Sequence, residues 1–234
     1  MSRLAIVGMG KMGKAVAELA PSRGWQVTAR LGRSAMEQGV TKELLAGADV
    51  AIEFTTPEAA ASNALAIVGA GCPVVVGTTG WYDDRPRVAT EVEAKGGALL
   101  TASNFSLGVN IFEQIVETAA RLLGRAPGFE AHMTETHHSA KKDAPSGTAI
   151  MLDKTASAAF GREIPITSVR VGSVPGTHEL TFDAPFEQIH LEHIARDRRV
   201  FAEGALVAAA WLIGKRGVFT MRDVLSTSSN PKTS

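Results

Sequence analysis

The sequence predicts an α/β fold: a parallel sheet with helices on both faces, with a smaller α+β unit inserted after it. Three observations predict it. Over residues 1–106, short apolar runs alternate with stretches of helical spacing. Glycine or proline (Gly8, Pro57, Gly77, Gly80) punctuates most of the ends of those runs. After residue 106 the alternation stops, and apolar runs follow one another across short turns.

The candidate strands of the first part are 4–7, 26–29, 50–54, 74–77 and 98–101, with helices such as 57–68 and 87–95 between them. Runs this short, bounded by turn residues, read as strands, and parallel strands need helical crossovers. In the second part 109–123 reads as a long amphipathic helix and 129–135 as a strand. A helix follows at 148–159, then strands at 166–171, 177–182 and 188–194, whose short turns predict one antiparallel face. An apolar helix at 202–213, a short piece at 221–225 and a frayed polar tail at 226–234 end the chain.

The first strand, Leu4-Ala5-Ile6-Val7, runs into Gly8-Met9-Gly10-Lys11-Met12-Gly13, and Ala15, Val16 and Leu19 then recur at helical spacing. This is strand, glycine turn and helix, the pattern of a Rossmann dinucleotide-binding unit. Gly8 permits the tight turn, Gly10 lets the backbone approach a pyrophosphate, and Gly13 lets the helix pack against the strand. After the second strand comes Thr28-Ala29-Arg30-Leu31-Gly32-Arg33-Ser34, with no acid between Gln26 and Met36. An acid there binds the ribose 2′-hydroxyl of NAD, whereas arginine accommodates the 2′-phosphate of NADP. NADPH is therefore the expected preference, with NADH second, and Arg33 the residue that sets it.

The second motif is Glu135-Thr136-His137-His138-Ser139-Ala140-Lys141-Lys142-Asp143-Ala144-Pro145-Ser146-Gly147-Thr148. Histidine exchanges protons near neutral pH. Ser146-Gly147-Thr148 ahead of Ala149-Ile150-Met151-Leu152 reads as a helix start, where backbone N–H groups attract a carboxylate or phosphate. A proton donor, cations and an anion cradle on one loop point to a small anionic substrate. His137 is the expected general acid and Lys141 the cation that assists it. Gly147 and Thr148 would grip one carboxylate, with His138 and Lys142 toward the other, while Asp143 would fix the loop. His132, His178, His190 and His193 share no ligand spacing and read as structural or surface residues, so no metal is expected.

Composition narrows the classes. The 234 residues hold 24 Lys+Arg and 24 Asp+Glu, a formal net charge of zero, and no basic block marks a nucleic-acid partner. Cys72 is the lone cysteine and reads as a small structural residue. The N-terminus enters a strand without a signal peptide, and no apolar run reaches membrane-spanning length, so a cytoplasmic protein is expected.

Taken together, these blocks resemble the dihydrodipicolinate reductase family of lysine and diaminopimelate biosynthesis. The resemblance runs through 7–13, Glu53-Phe54-Thr55-Thr56-Pro57-Glu58, Gly77-Thr78-Thr79-Gly80, 103–110 and the His-His block. It continues in Phe201-Ala202-Glu203-Gly204-Ala205, Ala210-Trp211-Leu212 and Met221-Arg222-Asp223-Val224-Leu225. It implies NAD(P)H-dependent reduction of a cyclic dicarboxylate to tetrahydrodipicolinate. It implies a nucleotide domain from residues 1–106 plus 199–234 and a substrate-binding and oligomerisation domain, 107–198, whose open mixed sheet builds a homotetramer. By position, His137 matches the family's proton donor and Lys141 its second. His138 matches a substrate-binding histidine, and Gly147 and Thr148 match the carboxylate site. Gly8, Met9, Gly10, Lys11, Met12 and Gly13 fall on the glycine turn. Gly77, Thr78 and Thr79, with Ala102, Ser103, Asn104 and Phe105, fall on the cofactor contacts near the nicotinamide. Two features depart from the family: the chain is shorter before Asp49 and between Phe160 and Arg170, and Gly32 stands where members that use NADH carry an acid. The competing readings are another dehydrogenase with an α+β substrate domain and a non-catalytic dinucleotide sensor. Neither needs a carboxylate cradle after His-His.

Overall fold

The computed structural model describes residues 1–36 and 39–226. The frayed tail expected from residue 226 onward lies, beyond Ser226 itself, outside the described residues. The chain forms two compact units, Met1–Leu107 with Arg199–Ser234, and Gly108–Arg198.

In chain order the first unit has β1 (Ser2–Val7), α1 (Lys11–Leu19), β2 (Trp25–Leu31), the short α2 (Arg33–Met36), β3 (Val50–Glu53), α3 (Pro57–Gly69), β4 (Val74–Val76), α4 (Arg85–Ala94) and β5 (Ala98–Thr101). The second unit has α5 (Leu107–Leu123), which begins at the last residue of the first, then β6 (Glu130–His137), α6 (Gly147–Phe160), β7 (Ile166–Arg170), β8 (Thr177–Ala184) and β9 (Glu187–Ile194). The chain then returns to the first unit with α7 (Arg199–Leu212), β10 (Gly217–Phe219) and α8 (Met221–Ser226).

The first sheet is parallel throughout, in the order β10-β5-β4-β3-β1-β2. Its inner strands β3, β4 and β5, and β1 from Leu4 to Val7, are buried on both faces, which is why they read as unbroken apolar runs. Leu4 and Ile6 of β1 face a core with Val16 of α1 and Ala202, Ala205 and Leu206 of α7. Ala5 and Val7 face a second core, with Ala60 and Ile67 of α3 and Val88 and Val92 of α4. The strand order reverses at β1, which has β2 on one side and β3 on the other, so a crevice opens beyond their carboxyl ends. The sixth strand, β10, is not legible in the sequence: three residues with a glycine at one end carry no period.

The second sheet runs β7-β6-β8-β9. The expectation of one antiparallel face is corrected here. β8 and β9 pair antiparallel, but β7 lies on the far side of β6 and pairs with it in parallel, Met133 opposite Ile166 through His137 opposite Arg170. The reason is the crossover: α6 carries the chain back along the sheet before β7 begins, so β7 starts at the same end as β6. One face packs Met133, Leu180 and Phe182 against Phe112 and Val116 of α5 and Leu152 and Phe160 of α6. The opposite face carries rows such as His132–Thr181–His190 and Thr134–Glu179–Glu192.

Candidate active site

At the switch point in the first unit, Gly8 has φ +97°, and a Cβ built there would lie 2.0 Å from the Phe54 carbonyl oxygen. A Cβ on Gly13 would lie 1.9 Å from the Gly8 carbonyl oxygen, so α1 closes onto the turn. A Cβ on Gly10 would meet nothing within 4 Å, so the backbone there faces open space. Gly10 caps α1 without a side-chain hydrogen bond, and the first turn carries no acid. These are the conditions for holding a phosphate.

The turn opens into a cleft of about 610 Å³, where Gly8, Met9, Gly10, Gly32 and Arg33 face Phe54, Thr55 and Asn63. Lys11 begins α1 and is exposed, Met12 is half-buried, and Gly13 is buried behind the turn. Phe54 and Phe105 meet edge to face at 6.1 Å, and a Cβ on Gly77 would collide with the Phe54 ring. Ser103 and Thr79 are exposed, Ala102 and Asn104 half-buried, and Asn104 Oδ1 accepts the Ser106 N–H at 2.8 Å. Thr78 is buried and its hydroxyl is already used: it donates to Glu53 at 2.8 Å and accepts the Thr55 N–H at 2.7 Å.

Glu53 stands in one of the family blocks, but its burial was not legible in the sequence. It is fully buried, accepts from Thr55, Thr78 and Asn63, and has no ion pair among the described residues. Burial pushes its carboxyl up, and these hydrogen bonds only partly offset that.

In the second unit the strand period sets the site. Glu135 and His137 lie two apart on β6, so both point to the core side, and both are buried. His137 Nδ1 bonds the Glu135 carboxylate. The other carboxylate oxygen accepts from Arg170 at 2.6 Å and from the Ser146 backbone N–H at 3.2 Å. Burial raises the Glu135 carboxyl, but hydrogen bonds from Arg170, Ser168 and His137 outweigh it and hold the group down at about 2. His178, on β8 directly opposite Glu135, packs edge to face on His137 at 5.3 Å and bonds Ser146 Oγ at 3.2 Å. Burial, then the neighbouring His137, pushes His178 down to about 4, so it is neutral at pH 7. Burial also lowers His137, against the pull of Glu135.

Ser146 caps α6, its hydroxyl accepting the Ala149 N–H at 3.1 Å. Gly147 and Thr148 occupy the first turn, and a Cβ on Gly147 would meet nothing within 4 Å. Lys141 Nζ pairs with both Asp143 oxygens at 2.8 Å, which gives Asp143 the loop-fixing contact expected of it. That pair lowers the Asp143 carboxyl, with the Gly147 amide assisting. His138 leaves the strand line. Its Nε2 accepts from Arg198 at 3.2 Å in a cleft of about 680 Å³ that also includes Arg196, and His137 does not line that cleft. Lys142 is exposed. Among the described residues no group of three or more His, Cys, Asp or Glu is arranged to hold a metal ion.

A family model for the N-terminal part of dihydrodipicolinate reductase matches residues 2–105, and one for its C-terminal part matches 108–225. The chain belongs to the dihydrodipicolinate reductase family. A 4-hydroxy-tetrahydrodipicolinate reductase of Christiangramia forsetii is 36% identical, covering 95% of this chain and 97% of that one. One from Methanoculleus marisnigri is 41% identical over 76% of this chain and 75% of its own. Among solved structures, a dipicolinate-bound dihydrodipicolinate reductase from Paenisporosarcina superposes with TM-score 0.81 at 20% identity, over 95% of this chain and 99% of that one. The fold is shared more loosely with an aspartate dehydrogenase of Thermotoga maritima, TM-score 0.53 at 16% identity over 92% and 97%.

Proposed function

We propose that the chain reduces 4-hydroxy-tetrahydrodipicolinate to tetrahydrodipicolinate, a step of lysine and diaminopimelate biosynthesis, with NADPH preferred to NADH. The observation that carries this reading is the buried Glu135–His137 pair beside the capped start of α6, in a chain of this reductase family.

The first unit is the dinucleotide-binding domain. Its glycine turn and open Gly10 backbone fit a pyrophosphate, and Arg33, exposed on the cleft wall beside Gly32, fits a 2′-phosphate. Gly77, Thr79 and the segment Ala102 to Phe105 serve the nicotinamide end, and Thr78 serves it through its backbone because its hydroxyl is committed. The reduced nicotinamide, when bound, supplies the hydride.

The second unit holds the dicarboxylate. Lys141, released from Asp143, and the first-turn amides of Gly147 and Thr148 take one carboxylate, and His138 with its cleft takes the other. His137 delivers the proton through Nε2. Its lowered pKa leaves it neutral in the free enzyme at pH 7, and the negative charge of a bound dicarboxylate raises it toward the value a proton donor needs. The open face of the second sheet builds a homotetramer, and the enzyme works in the cytoplasm.

The test is oxidation of reduced cofactor followed at 340 nm. The preceding synthase makes the substrate in place from pyruvate and aspartate semialdehyde, with NADPH and NADH run in parallel. Synthase-dependent oxidation, faster with NADPH, is expected. Folded protein that binds the dinucleotide but oxidises neither cofactor would overturn the reading.

A further inference from the structure

We propose that Glu135 is a positioning residue for the proton transfer. It fixes His137 with a proton on Nδ1, turns Nε2 toward the reacting ring, and through the Ser146 amide ties that imidazole to the start of α6. This rests on the reading of His137 as the proton donor.

The geometry divides the carboxylate between two tasks. One oxygen takes the Arg170 guanidinium at 2.6 Å and the Ser146 N–H at 3.2 Å, and the other takes His137 Nδ1. If Glu135 only balanced the charge of Arg170, the second oxygen would need no histidine. The carboxylate is an acceptor, so a neutral His137 must carry its hydrogen on Nδ1, leaving the Nε2 lone pair free to receive a proton and pass it on. A Cβ on Gly176 would stand 3.0 Å from Nε2, tighter than ordinary contact, so a side chain at 176 would crowd that nitrogen.

The same carboxylate joins two functions that the sequence sets eleven residues apart, because Ser146 N–H is the entry to the helix assigned to the substrate carboxylate. Four charged or titratable groups face the ring: Glu135, Arg170, Lys141 and His178. Arg170 offsets the carboxylate charge, and the buried His178 stays neutral, so Glu135 orients His137 without fixing it permanently as a cation.

Nitrogen-15 NMR of the full-length enzyme reads the tautomer directly, with His137→Gln assigning the signal. Above the imidazole pKa the Nδ1–H form is expected, and an Nε2–H form overturns the proposal. This measurement needs no change at Glu135, so it stands even if a variant there fails to fold. Glu135→Gln keeps the size but leaves Arg170 uncompensated and a weaker acceptor. It should lower kcat at least about tenfold, since losing the carboxylate that orients a proton-transferring histidine costs that much or more, with a much smaller change in substrate KM. The pH at which activity falls should also move lower, a shift that a merely structural role would not produce. Wild-type kcat and an unmoved pH profile in Glu135→Gln, with kcat lost in His137→Gln, overturn the proposal alone. Wild-type kcat in His137→Gln overturns the donor reading itself, and this proposal with it.

Discussion

His137 shows how a residue can be recognised by type while its working state is decided by its surroundings. A histidine beside cations and a helix start reads as a proton donor from sequence. Its partners do not, because Arg170 reaches Glu135 only through the parallel pairing of β7, and His178 comes from the neighbouring strand β8. The general signal for Glu135 was present: with strand alternation, the acid two residues before a histidine shares its face. At this scale His137→Ala should lower kcat about 10²–10⁴-fold with little change in KM, the usual effect of losing a positioned general acid. Lys141→Ala should lower kcat and raise substrate KM together, because in the proposed mechanism the same ammonium would hold the carboxylate and favour the electron-rich intermediate. Steady-state kinetics separate the two. Arg33→Ala should raise KM for NADPH and leave NADH unaffected, since only NADPH carries the phosphate that the guanidinium would bind.

Elements depend on contacts that a single side chain can break. Helix α7 passes the segment after β5 so closely that a Cβ on Gly204 would sit 1.6 Å from the Phe105 carbonyl oxygen. Backbone cannot yield as a flexible side chain would. Gly204→Ala should therefore destabilise the protein by about 1–3 kcal/mol, the usual cost of overpacking, read as a lower urea midpoint. Most elements were legible because their apolar periods are long or sharply punctuated, as in α5 and β1. The pairing of β7 was not, since short turns on both sides of β8 favoured a simple antiparallel run.

At the scale of the whole molecule, buried ionisable groups set the response to acid. His178 is held near 4 against an ordinary 6.5, so between those values the unfolded chain binds a proton that the folded one refuses. His137 and His193 are lowered in the same direction. Glu135 is held near 2 against an ordinary 4.5, so its contribution is complete above 4.5 and is lost as pH falls toward 2. The apparent thermal midpoint should therefore fall from about pH 6.5 downward, and less steeply above pH 4 in a His178→Gln variant. Scanning calorimetry across pH checks both. For the assembly, light scattering should give about four times the 24.6 kDa chain mass. A charge-bearing Thr181→Lys on the uncovered sheet face should reduce it.

The sequence by itself determined the parallel sheet, the glycine turn, the gathering of histidines and lysines on one loop and the family, because each is written in residues close together along the chain. Tertiary structure alone decided the parallel placement of β7, the Glu135–Arg170–His178 surroundings of His137, the buried Glu53 network and the commitment of the Thr78 hydroxyl. Those depend on strand register and burial, which bring together residues that neither composition nor local spacing connects.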